Sequence, residues 1–135
     1  MHLDIEKPRV ETMVFRASLA AGAKQTYKER IKSDGTVEKV RIKIYPGSEG
    51  TLKIRPCVFQ KGRRSLVDLL TYPDGGNQYM SGDDDYFEFP VVMSVQNDDE
   101  IYIICENAGS YPYTVSVDVV IDYFGGKDRI IGGVL

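Results

Sequence analysis

The residues of this chain with the means to do chemistry gather in a few places, and the densest lies between positions 72 and 86. Tyr72, Tyr79 and Tyr86 carry flat rings able to stack on a sugar, while Asn77, Gln78 and Asp83 carry hydrogen-bonding groups that would orient one. The run Asp83, Asp84, Asp85 adds the hard carboxylate oxygens that calcium takes, although its spacing follows no known calcium-loop pattern. A solvated acidic loop guarding a sheet edge would use the same residues. The chain has no Trp, the broadest stacking surface a sugar site could offer.

A second constellation is basic. Lys39, Arg41 and Lys43 alternate with apolar residues, as do Lys53 and Arg55 across the turn material at 46–50. Two alternating runs around a short glycine-containing loop read as a β-hairpin. That hairpin would set like charges opposite one another, which destabilises a sheet unless something negative lies close. Asp118 and Asp122 could supply the charge from within, and an acidic face on a neighbouring subunit could supply it from outside. Lys61, Arg63 and Arg64 extend the basic character, yet only Tyr45 and Phe59 interleave aromatically, and 20 acidic against 17 basic residues give a net charge of −3. Nucleic acid is therefore not the expected partner.

The third constellation is apolar. Ile130, Ile131, Val134 and Leu135 sit between and beyond two Gly-Gly pairs, and Leu3 and Ile5 lie near the other end. Aliphatic side chains of this kind are sticky when left in water, so they are expected to pack on their own domain or on a neighbour by arm exchange. Residues 1–9 and 125–135 are accordingly read as flexible arms.

Catalysis finds little to work with. His2 is the single histidine, so Ser-His and Cys-His pairs lack a base and transition metals lack their commonest ligand. Glycines at 75, 76, 125 and 126 are turn glycines and no phosphate-cradling loop precedes a helix. Paired carboxylates could in principle act on a glycoside, but the candidates Asp83, Asp84, Asp85 and Glu88 sit in and beside a polar loop. The expectation is a non-enzyme with no resident cofactor, calcium being the one candidate.

These features need a scaffold, and the alternation of apolar and polar residues says which. Val40, Ile42 and Ile44 are followed by Leu52, Ile54 and Val58, then by Phe87, Phe89, Val91 and Met93, the run from 101 to 105, and the long series Tyr113, Val115, Val117, Val119, Ile121, Tyr123. Met13, Phe15 and Ala17 indicate another strand and 25–31 a further one. Pro90 assigns its strand to an edge or a bulge. Residues 65–70 could form a helical turn or a strand. At 135 residues and 42% hydrophobic, one core is the expectation: a single all-β domain, a two-sheet antiparallel sandwich of about eight strands. No apolar run approaches membrane-spanning length. The first residues show no export signal, so synthesis in the cytoplasm without export is expected, with Cys57 and Cys105 as reduced core thiols.

The grammar of the last third narrows this. Tyr86-Phe87-Glu88-Phe89-Pro90-Val91, a polar turn, Asp99-Glu100-Ile101-Tyr102-Ile103, then Glu106-Asn107 and a long Tyr-Val-Ser-Val strand resemble jelly-roll modules. The resemblance is to carbohydrate-binding jelly rolls and to virion proteins of tailed phages, such as head-decoration or tail-accessory subunits. It implies a jelly-roll fold and either self-association into or onto a larger particle, with the virion as a place of residence, or a glycan site at 72–86.

Overall fold

Alternation carried along the whole chain makes eight strands in the computed structural model, which describes residues 9–47, 50–70 and 79–123. They are β1 (Val10–Leu19), β2 (Lys24–Arg30), β3 (Gly35–Ile44), β4 (Leu52–Gln60), β5 (Ser65–Asp68), β6 (Asp85–Val95), β7 (Glu100–Asn107) and β8 (Tyr113–Tyr123). Two four-stranded sheets result, sheet A in the order β1-β8-β3-β6 and sheet B in the order β2-β7-β4-β5. Every pairing is antiparallel, and the pairings nest: β4 with β5, β3 with β6, β2 with β7, β1 with β8. One long hairpin, turned after Gln60 and rolled over itself, produces this order, which is that of a jelly roll. Further pairing of β3 with β8 and β4 with β7 knits each sheet across its centre.

The inner faces hold the aliphatic half of each alternation. Val40, Ile42, Ile44, Val117, Val119 and Ile121 of sheet A meet Leu52, Ile54, Val58, Ile101 and Ile103 of sheet B, all of them fully or almost fully buried. Burial of each such side chain stabilises the fold by about 1.5–3 kcal/mol. In β3 the inward parity changes from odd at Val37 to even at Val40, and the register slips between Val37 and Lys39 against both neighbours. This bulge at Glu38 keeps both apolar sets inside. Gly35 belongs to the same strand for a different reason, since a Cβ there would stand 2.6 Å from the Asp122 carbonyl oxygen.

Two buried polar side chains secure the corners. Asn107 donates to the carbonyls of Leu19, Ala20 and Tyr111 at 3.0, 3.2 and 2.8 Å and accepts from the Gly109 amide at 2.9 Å. Asp99 accepts from the amides of Lys61 and Gln96 at 3.1 and 2.9 Å. Each satisfies backbone groups that corner geometry leaves without strand partners.

Several expectations change here. The runs around residue 46 are strands, but they do not form a hairpin: β3 lies in sheet A and β4 in sheet B. The chain crosses between layers there because both runs need a buried face and the roll supplies a different partner for each. Residues 65–68 are strand β5. The loop after β5 is shorter than its polar composition suggests, since Asp85 and Tyr86 open β6 and Met80 bridges Ile54. Pro90 does stand on an edge strand of sheet A, and Cys57 and Cys105 are free, buried thiols. The expected arms fall outside the described residues apart from Arg9, which pairs with Asp122 at 3.0 Å and accepts from the Tyr123 amide through its carbonyl.

Candidate functional site

Because β3 and β4 belong to different sheets, the basic residues divide. Lys39, Arg41 and Lys43 project from the outer face of sheet A, while Lys53 and Arg55 project from the outer face of sheet B. No row of opposed like charges forms. Each of the five has a local partner. Lys39 Nζ lies 3.3 Å from Glu88 Oε2. Arg41 Nε is 3.7 Å from Asp118 Oδ2. Lys43 Nζ sits 5.3 Å from the Tyr45 ring centroid and Lys53 Nζ 5.1 Å from that of Tyr79. Arg55 makes a forked pair with Asp68 at 2.5 and 3.0 Å.

These partnerships are unequal. On sheet B the Arg55–Asp68 fork covers Cys57, whose Sγ donates to Asp68 Oδ1 at 3.3 Å. Burial, and then the Asp68 carboxylate, pushes the Cys57 thiol up to about 12, and burial alone does the same to Cys105. Phe59 stacks on Tyr102 with centroids 5.6 Å apart, and Lys28 Nζ lies 4.8 Å from the Tyr102 centroid. On sheet A, Arg41 meets Asp118 too far away for a hydrogen bond, and its Nε is buried without any hydrogen-bond partner. Glu88 is held below the usual carboxylate range by the Lys39 ammonium, and also accepts from the Tyr86 hydroxyl at 3.2 Å.

The outer face of sheet A carries a shallow groove of about 350 Å³ across β1, β8, β3 and β6. Arg16, Arg41 and Lys43 line it against the single carboxylate of Asp118, with Tyr45 and Tyr86 at its rim. Strand pairing explains the meeting. Arg16 is opposite Ser116 and Ser116 opposite Lys43, while Val14 is opposite Asp118 and Asp118 opposite Arg41. Val14 is 61% exposed on this face, and Val92 of β6 is 92% exposed.

The residues expected to act together at 72–86 do not all converge. Tyr79 lies beside β4 of sheet B, whereas Tyr86 belongs to the groove on sheet A. Tyr72, Asn77 and Gln78 lie outside the described residues, as do Ile130, Ile131, Val134 and Leu135. Asp83 Oδ1 accepts from the Gly47 amide at 2.7 Å and Asp85 Oδ2 from the Asp83 amide at 2.8 Å. Asp84 between them takes a left-handed backbone, φ 54°. The carboxylates of Asp83 and Asp85 fasten a turn, and among the described residues no group of three or more Asp, Glu, His or Cys side chains comes together as a metal site would require. Arg16, Ser116 and Val14 were not among the expected site residues. Their one signal was the outward half of the β1 and β8 alternations, because the residues they meet lie far away in the chain.

No family profile matches the chain, and no curated protein matches it. Solved structures do. A Yersinia pseudotuberculosis-derived mitogen superposes with a TM-score of 0.50 at 8% identity, over 81% of this chain and 84% of that one. The CBM32 of AlyQ, solved with 4,5-unsaturated mannuronic acid, gives 0.48 at 16% identity over 77% and 75%. A chain of infectious bursal disease virus, Gx strain, gives 0.46 at 15% identity, covering 93% of this chain and 38% of the viral one. The likeness is one of fold.

Proposed function

We propose that the chain is a non-catalytic structural protein that self-associates through the outer face of sheet A and so builds into or onto a larger particle, of which a phage virion is the instance suggested by its sequence. One observation carries this reading: sheet A leaves Val14 and Val92 bare on the same face as a groove with more cations than carboxylates. Bare aliphatics beside under-compensated charge are what a contact surface presents before its partner arrives. Four strands about 4.8 Å apart and some ten residues long give a face of roughly 15 by 33 Å, near the low end of specific interfaces. Association is therefore concentration-dependent.

Sedimentation of the full chain across a wide concentration range tests this. The expected result is reversible self-association that Val92→Asp weakens without lowering the melting temperature. A monomer at every concentration would remove the reading. A glycan-binding role is favoured by one feature, the placement of Tyr45 and Tyr86 beside the cations of that groove. Binding of an acidic oligosaccharide that is lost with Tyr86→Ala would support it.

A further inference from the structure

We infer that the groove on sheet A receives the acidic turn at Asp83, Asp84 and Asp85 of a second copy of this chain, and this rests on the self-association reading above. The groove is positive because Arg16, Arg41 and Lys43 line it with the single carboxylate of Asp118, while Glu88, opposite Arg41, is already paired with Lys39. Among the described residues no ion pair reaches Arg16, and Lys43 has a tyrosine ring in place of a carboxylate. The Arg41 guanidinium stands 3.7 Å from Asp118 with Nε unsatisfied, so its charge is only partly answered. Three cations gathered around one carboxylate favour the approach of a further negative group.

Negative charge lies next to the groove, in the turn that precedes its rim residue Tyr86, but it does not pair with the groove of its own chain. The acidic turn leads directly into β6, where Asp85 is opposite Ile44 and Tyr86 opposite Lys43. Asp83 and Asp85 are fixed by backbone amides, and the Asp84 carboxylate is exposed with no side-chain partner among the described residues. None of the three forms an ion pair with Arg41 or Lys43 of its own chain among the described residues. A positive groove with a negative turn beside its rim can be self-complementary about a two-fold axis, the turn of each copy reaching the groove of the other. Both contacts form at once and the pair closes.

Charge reversal on each side tests the pairing. The groove variant Arg16→Glu with Lys43→Glu, and the turn variant Asp84→Lys, should each self-associate about tenfold more weakly than the native chain or worse. Mixed in equal amounts, the two should associate with each other, because every groove then meets a turn of opposite sign. Circular dichroism guards against misfolding, and the neutral variants Arg16→Gln with Lys43→Gln and Asp84→Asn should weaken association to a lesser degree in the same direction. A native chain that associates with an affinity unchanged by either reversal would overturn this pairing alone. So would groove reversal that abolishes acidic-oligosaccharide binding while leaving association intact, or reversed variants that fail to rescue one another. A native chain that never associates would overturn the pairing together with the reading beneath it.

Discussion

The two outer faces of the sandwich come from the same alternation and carry similar cations, yet they are finished differently. On sheet B, Arg55 is forked onto Asp68, Lys53 and Lys28 lie near tyrosine rings, and Phe59 covers its neighbour Tyr102. Sheet A leaves Arg16 without an ion pair among the described residues, Arg41 at arm's length from Asp118, and Val10, Val14 and Val92 in water. A face closed by its own side chains contributes to stability. A face left open contributes little until something binds, so substitutions on the two should register in different experiments.

The inner faces set the scale for that contrast, because there the sheets are equivalent. Ile42→Ala in sheet A and Ile103→Ala in sheet B should each lower unfolding stability by about 3–4 kcal/mol in denaturant titrations. A difference beyond about 2 kcal/mol would show that the sheets are unequal even in their cores. The outer faces come next. Asp68→Ala strips a fork and leaves Arg55 and the buried Cys57 without their acceptor, a loss of about 2 kcal/mol. Asp118→Ala, opposite a more distant arginine, should cost less than about 1 kcal/mol. Equal losses would break the comparison.

Alkaline stability sharpens it further. Cys57 and Cys105 keep their protons up to about 12, against an ordinary value of 9.0 when the chain unfolds. Folded thiols thus hold protons that unfolded ones release. Their contribution is complete below pH 9 and is lost as the pH climbs toward 12, by about 1 kcal/mol per thiol over the first pH unit. Burial raises Tyr27 and Tyr123 in the same direction. Unfolding curves at rising pH should show the decline, and Cys57→Ala should lessen it. Alkylation of either thiol in the native protein at neutral pH, at the rate of a free thiol, would contradict the burial from which the effect follows.

Much of this was legible from alternation alone. The runs at 87–93, 101–105 and 113–123 stand out because a half-buried strand must put an apolar residue at every second position, and the two weaker strands near the start were also visible. Pairing was not. The glycine-rich stretch after Tyr45 has the composition of a hairpin turn, but a crossing between layers uses the same residues. Which one forms depends on where β6 and β7 lie, strands that begin only at Asp85 and Glu100. The parity change between Val37 and Val40 marks the bulge but is easily lost beside the clean run that follows it. The groove was the least visible feature, because it brings Arg16 of β1 to Ser116 of β8 and Lys43 of β3, positions that no local pattern joins.

The nested pairing also has a meaning in time. β8 lies in sheet A between β1 and β3, which do not touch each other as neighbours. While the chain is being made, those two strands have no shared partner until residues 113–123 have emerged from the ribosome. Sheet A, and with it the groove, can therefore close only once β8 is available, after the β4–β5 turn has had time to form by local contact. Without β8 the groove has no floor, since Ser116 and Asp118 are then missing from between Arg16 and Lys43, so the last of the eight strands is the one that assembles the charged face.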